Sequence, residues 1–245
     1  MTRRIAILNN NTDTSAFAQR FADDGQKVAA GLRLHRPDWQ YEVWHAHGGE
    51  LPPDPDAYQG WVLTGSVASV NDGAPWMARL AELVRHLHRR QVPLVGLCFG
   101  HQMVAHALGG RVGASPGGWR IGTAPTHYRA EPCAALPWMQ PPQATITLFA
   151  AHQEQVLQPP PEATVLGGDD FAPAAALRVG RHVFTTQYHP ELSREFMQAL
   201  LDEYGALWPA PMVAQARLQV QQPVDAGLFM RWAAQFLEQA ASEHP

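Results

Sequence analysis

The sequence predicts an α/β protein of three layers, with a mainly parallel central sheet and helices on both faces. Three observations carry that expectation. From residue 4 to residue 109, short apolar runs alternate with segments of helical periodicity, the pattern that builds a parallel sheet. One of those runs, Pro93-Leu94-Val95-Gly96-Leu97, ends on Cys98 and passes directly into a helix-like stretch. Hydrophobic residues make up 46% of the 245, enough for a sizeable core.

Arg4 to Asn9 reads as a buried strand that closes on Asn9-Asn10-Asn11. Thr14 to His35 carries Phe17, Phe21, Val28, Leu32 and Leu34 at helical spacing, and Pro37 stops it. Gln40 to Ala46 alternates as a second strand, and Leu51 to Asp56 is a proline-rich loop. Gly60 to Thr64 is a third strand, broken at Gly65-Ser66. Met77, Leu80, Leu83, Val84 and Leu87 mark an amphipathic helix over Trp76 to Arg90. The strand ending at Cys98 follows, and its helix ends near Gly109-Gly110.

After Arg111 glycine, proline and short β-prone runs take over. Thr145 to Phe149, Thr164 to Leu166, Ala175 to Val179 and His182 to Gln187 are candidate strands, expected to extend the sheet antiparallel at one edge. Ser193 caps a helix to about Tyr204, Pro209 to Pro223 reads as a linker or irregular arm, and Phe229 to Ala240 as a terminal helix. The expected division is a catalytic domain over residues 1–205 and a C-terminal helical extension, 206–245, packing on or beside it.

A net charge of -4 argues against a general binder of nucleic acid or anionic membrane. Ile5 to Leu8 is too short for a signal-peptide core, and no run approaches the roughly 20 apolar residues of a membrane span. Two cysteines make no disulfide framework, so the expected setting is reducing and cytoplasmic. His45/His47 and His86/His88 lack a carboxylate or cysteine cluster beside them, and neither a metal nor a cofactor is expected. Cys133 reads as incidental, and His101 is assigned no chemical role. Trp119 and Trp138 are open to pocket or core.

Gly96-Leu97-Cys98-Phe99-Gly100 has the form of a nucleophile elbow, a sharp strand-to-helix turn that lifts one side chain above the sheet edge. Glycines two before and two after the nucleophile are needed because side chains there would strike the neighbouring strand and helix. The cysteine also sits at a helix N-terminus, whose dipole favours thiolate. Downstream, Gln187-Tyr188-His189-Pro190-Glu191 ends a strand on a histidine, with a carboxylate two residues on across a proline-fixed turn. That spacing lets Glu191 orient the imidazole and stabilise imidazolium.

Together, Gly96 to Gln102 and Gln187 to Glu191 resemble the class I, triad-type glutamine amidotransferases, a family with a flavodoxin-like three-layer fold. The resemblance implies Cys98 as nucleophile, His189 as general base and acid, and Glu191 as orienting carboxylate. It implies oxyanion donors at the Phe99 N–H and at Gly65, and a glutamyl-binding role for Gln102. Ser66, His152 and Gln153 are the further substrate-binding candidates. Ser66 lies in the loop after the third strand, and His152-Gln153 where the family carries His-Gly-Asp. The Gly65-Ser66 loop and the His152 to Val156 segment depart from GMP synthase domains and are similar to the plant γ-glutamyl peptidases, free-standing enzymes that cleave γ-glutamyl bonds.

Three functions follow as expectations. One is a glutaminase subunit that passes ammonia to a synthase partner in trans, since no synthase domain is expected to fit in the 41 residues after Tyr204. The second is a stand-alone γ-glutamyl hydrolase or peptidase. The third is a non-catalytic binding or regulatory module on the same fold, against which the intact Cys98, His189 and Glu191 count. The related DJ-1/PfpI type fits the His-Pro-Glu order and Gln102 poorly. The expected ligand is a small molecule, glutamine or a γ-glutamyl compound, and the oligomeric state stays open.

Overall fold

Ile5, Ala6, Ile7 and Leu8 are fully buried, so the first strand, Arg4–Asn9 (β1), is covered on both faces as an interior parallel strand must be. This computed structural model describes residues 2–242. The chain continues through α1 (Asp24–Arg33), β2 (Gln40–His45), β3 (Gly60–Leu63), α2 (Pro75–Arg89), β4 (Leu94–Leu97) and α3 (Phe99–Ala107). The next stretch holds β5 (Arg111–Ala114), β6 (Arg120–Tyr128), α4 (Ala130–Ala134), β7 (Thr145–His152) and β8 (Glu154–Gln158). Then come β9 (Ala163–Gly168), β10 (Ala176–Val179) and β11 (Val183–Thr186), followed by α5 (Arg194–Tyr204), α6 (Ala210–Gln219) and α7 (Ala226–Ser242).

Nine strands form one sheet in the order β2-β1-β3-β4-β11-β10-β9-β6-β7. Strands β2, β1, β3, β4 and β11 are mutually parallel, and β10, β9, β6 and β7 continue the sheet antiparallel. A separate two-stranded sheet pairs β5 antiparallel with β8. On one face, Val28 and Leu32 of α1 meet Phe229, Trp232, Phe236 and Leu237 of α7 over Ile5, Ile7, Val62 and Val95. On the other, Leu80, Val84 and Leu87 of α2 and Met103 and Val104 of α3 cover Ala6, Leu8, Trp61 and Leu63. The three-layer α/β expectation therefore holds. A third, smaller cluster joins Met197 and Leu201 of α5 to Phe149 of β7 and Ala216 of α6.

Several elements differ from the sequence reading. Helix α1 begins only at Asp24, capped by the Asp23 carboxylate accepting from the Gln26 N–H at 2.8 Å. Upstream, Asn9, Asn11 and Asp13 side chains accept from backbone N–H groups two residues on, which gives that segment an alternative to helix. Strand β6 is not among the candidate strands of the sequence, yet it pairs with β7 over eight positions. Strand β11 lies parallel to β4 and only turns the sheet antiparallel at β10. The expected linker at Pro209 to Pro223 contains helix α6, whose prolines fall at its N-cap and first turn, where no intrahelical N–H is required. Among the described residues no helix is long and apolar enough to cross a membrane.

Candidate active site

The C-terminal ends of β3, β4 and β11 lie side by side, and each delivers one part of the site. After β4, Cys98 takes φ 48° and ψ -103°, a conformation that disfavours any side chain, and it becomes the N-cap of α3. The turn is pinned on both sides: the Cys98 N–H donates to Thr186 O at 2.9 Å, and the Gly100 N–H donates to Thr64 O at 3.1 Å. The glycine bracket is steric. A Cβ at Gly96 would stand 2.8 Å from Gly100 O, and one at Gly100 would stand 2.6 Å from Leu63 Cβ. Phe99 begins the helix fully buried and stacks on Trp76. Its N–H belongs to the first turn, which helix geometry leaves without an internal acceptor.

After β3, Gly65 packs against the same centre. A Cβ there would lie 3.0 Å from His189 Cε1 and 3.7 Å from Cys98 Cβ, so a side chain at this position would crowd the imidazole. Ser66 is half-buried, and its Oγ accepts from the Ala68 N–H at 3.1 Å within its own loop.

After β11, the His189 N–H donates to Phe149 O at 2.9 Å, which ties the histidine to β7. Its Nδ1–H donates to Glu191 Oε1 at 2.7 Å, and the Glu191 side chain is wholly buried. Nε2 is buried without a hydrogen-bond partner. Burial works against the imidazolium, but the nearby charges of Cys98 and Glu191 and the hydrogen bond to Glu191 overcome it, and the His189 pKa is raised well above 6.5. The arrangement can hold a cationic imidazole beside the Cys98 sulfur, with a carboxylate fixing the far ring nitrogen.

Gln102, one turn into α3, donates through Nε2 to Glu154 O at 2.7 Å and to Gln187 Oε1 at 3.2 Å. Gln187 in turn donates through Nε2 to Cys98 Sγ at 3.6 Å. His152 ends β7 with its Nδ1 bonded to Glu154 O at 3.0 Å and its ring between Phe171 and Tyr188. Burial lowers its pKa to about 4. Beyond it, Arg120 pairs with Asp169 and lies over the Phe171 and Tyr188 rings. His101 is fully buried against β11, bonded to Thr185 Oγ1 at 2.8 Å, and its pKa is lowered to about 3, mainly by burial.

Cys98, Gly65, Phe99, Gln102, His152, His189 and Glu191 thus come from distant parts of the chain to one sheet edge. Gln153 lies exposed at the β7–β8 turn, where its carbonyl accepts from the Ser115 N–H. Gln187 belongs to the Gln187-Tyr188-His189-Pro190-Glu191 motif but carries no expected role. No periodicity marks it, because β11 ends at Thr186 and the chain bends over residues 187–188 before His189. Trp138 is buried in the core, whereas Trp119 is 37% exposed against Trp208. Cys133 is a half-buried free thiol, and no metal-binding group of three or more ligands occurs among the described residues.

The family model for glutamine amidotransferase class-I matches residues 16–204, and the chain belongs to that family. Among its relatives, γ-glutamyl peptidase 3 of Arabidopsis thaliana is 26% identical over 77% of this chain and 72% of its own length. A glutamine-hydrolysing GMP synthase of Aeropyrum pernix is 32% identical over 60% of this chain, but the match spans only 28% of that protein. A solved glutamine amidotransferase of Methylobacillus flagellatus superposes with a TM-score of 0.77, covering 97% of this chain and 94% of its own at 22% identity, which bears out the fold.

Proposed function

We propose that the protein is a cysteine hydrolase that cleaves a γ-glutamyl amide bond through a γ-glutamyl thioester on Cys98. The observation that carries this reading is the buried His189–Glu191 pair, 2.7 Å apart, next to a cysteine held at positive φ on a helix N-terminus. A buried pair of this kind has little reason to stand beside a strained cysteine except to run acid–base chemistry on it.

The Cys98 thiolate attacks the γ-carbonyl carbon, and the C=O electron pair moves onto oxygen. The Phe99 and Gly65 N–H groups receive that oxyanion, each contributing about 3 kcal/mol in the transition state. The tetrahedral adduct collapses as His189 gives its proton to the departing nitrogen, which leaves as ammonia or an amine. Neutral His189 then takes a proton from water, whose oxygen attacks the thioester. Glutamate leaves and the thiolate returns. Glu191 keeps the imidazole in one tautomer throughout and offsets its positive charge.

Within this reading we favour a stand-alone γ-glutamyl peptidase over an ammonia donor. The supporting observation is that the peptidase relative aligns over 72% of its length, whereas the synthase match covers 28% of that protein. Incubation with a diazo-ketone analogue of glutamine, followed by mass spectrometry, should place one adduct on Cys98. A labelled protein with Cys98 unmodified sinks the reading. Hydrolysis of γ-glutamyl dipeptides in excess of glutaminase activity supports the peptidase. Glutaminase activity that appears only with a synthase partner supports the ammonia donor.

A further inference from the structure

We infer that Gln187 is a functional member of the nucleophilic centre, donating a hydrogen bond to the Cys98 sulfur with a polarity that the rest of the site enforces. The inference rests on reading Cys98 as the nucleophile and adds a residue to which that reading gives no part.

The enforcement can be followed atom by atom. Glu154 O is a backbone carbonyl and only accepts, so the Gln102 atom 2.7 Å away must be its NH₂ group. That same nitrogen lies 3.2 Å from the Gln187 amide, so the Gln187 atom facing it must be the oxygen. The other end of the Gln187 amide, at 3.6 Å from Sγ, is then its NH₂ group. A flip of Gln187 would set two donors against each other at Gln102 and an oxygen against the sulfur. Gln187 is 1% exposed and Gln102 is 4% exposed, so water does not compensate a flip. Gln187 is fixed at its backbone as well, where its N–H donates to Ala175 O at 2.8 Å.

A donor aimed at sulfur favours thiolate over thiol, because hydrogen bonds to the charged form stabilise it. His189 supplies the opposite charge, and Gln187 supplies a neutral donor that stays in place when His189 gives up its proton. The sulfur therefore keeps this N–H through the neutral-histidine stage and has it beside the imidazolium when it becomes the leaving group of thioester hydrolysis. The chain Glu154–Gln102–Gln187–Cys98 also connects the residue that resembles the family's glutamyl-binding glutamine to the nucleophile. Both hydrogens of the Gln102 NH₂ are engaged inside the protein, which leaves Oε1 as the atom with which it can meet a ligand.

The titratable groups around the sulfur are few. His189 and, behind it, Glu191 come from the segment after β11. His101 on α3 and His152 on β7, lowered to about 3 and about 4, stay neutral between pH 5 and 9. Glu154 on β8 turns its carboxylate to Ser69, and the Arg120–Asp169 pair lies past His152.

The test is the pH dependence of Cys98 alkylation by iodoacetamide, read by mass spectrometry, with Cys133 as the internal comparison because burial pushes its thiol pKa up. In the unaltered protein Cys98 should react faster than Cys133 at about pH 6. Gln187→Met keeps the length and removes the donor. It should move the midpoint of the profile up by about one pH unit and slow alkylation at pH 6 about tenfold. Gln187→Glu, isosteric and anionic, should move it further. In the unaltered protein the Gln187 side-chain amide resonance should shift through the same pH range as the alkylation rate. A folded Gln187→Met protein whose profile overlays the original, or an amide resonance that does not follow the sulfur, overturns the inference. If Cys98 in the unaltered protein reacts no faster than Cys133, the nucleophile reading itself fails.

Discussion

Gly100 lies directly against Leu63: a Cβ on the glycine would stand 2.6 Å from Leu63 Cβ and 2.9 Å from its carbonyl carbon. The first turn of α3 therefore rests on the end of β3, and this contact sets the height at which Cys98 emerges.

Gly100→Ala should push that turn off the strand. Backbone offers no rotamer to yield, so the cost should lie at or above the upper end of ordinary overpacking, about 3 kcal/mol. Urea unfolding reads the loss. Diazo-ketone labelling of Cys98 should fall along with it, since the Gly100 N–H bond to Thr64 O lies in the same turn. Unchanged stability and labelling together would show that the close approach does not position the cysteine.

The Cys98 backbone makes a second, sign-reversed prediction. At most positions glycine is less stable than alanine by roughly 0.5–1 kcal/mol because it frees the unfolded chain. At φ 48° and ψ -103° the alanine carries the steric penalty instead, about 1–3 kcal/mol. Cys98→Gly should therefore be more stable than Cys98→Ala, by about 1 kcal/mol, although both lack the sulfur. Paired denaturation curves in the ordinary order, with alanine the more stable, would mean that the turn is not strained.

Glu191→Gln keeps a group that can accept from His189 Nδ1–H and removes the charge. His189 has its pKa raised above 6.5 despite burial, with Cys98 and Glu191 as the causes. A raised histidine adds stability in full below 6.5, and that stability is lost as the pH climbs through the folded value. Removing one anion should bring the upper edge of this window down toward 6.5. Turnover of a γ-glutamyl substrate should fall on the order of 10²-fold, as when a general acid–base loses its support. An NMR titration of His189 beside a pH–rate profile checks both. An imidazole titrating as before would remove Glu191 from the triad.

The parts of this site visible in the sequence are those fixed by local sterics. Gly96, Gly100 and the His189-Pro190-Glu191 turn each announce a backbone requirement within five residues. Strand β6 was hidden because it carries Gly122 and Pro125, residues that ordinarily break strands. Their reasons are tertiary. A Cβ at Gly122 would lie 3.1 Å from Ala216 Cα of α6, and Pro125 falls where β6 has β7 alone beside it, since β9 is reached only at His127 and Tyr128. Helix α6 was hidden for a related reason, since Ala216 is its only residue buried in full and no apolar stripe signals it. The relay through Gln102 and Gln187 needed three elements in register before its polarity became readable.

His101 and His152 predict how the fold fails in acid. Both are buried and neutral, with pKa values lowered to about 3 and about 4, chiefly by desolvation. In the unfolded chain each titrates near 6.5, so below that pH the unfolded state binds protons that the folded state refuses, and stability falls. Each histidine contributes a slope of up to about 1.4 kcal/mol per pH unit. The slope from His152 ends near pH 4, and that from His101 continues to about 3. His189 adds none in this range, because it is protonated in both states below 6.5. Carboxylates contribute their own slope, so the informative quantity is a difference between two proteins. His152→Phe, which keeps a ring between Phe171 and Tyr188, should flatten the dependence of urea stability on pH between 6 and 4.5 by close to one proton. If the two slopes coincide, His152 is protonated in the folded state, and its buried, unpartnered Nε2 has found an acceptor.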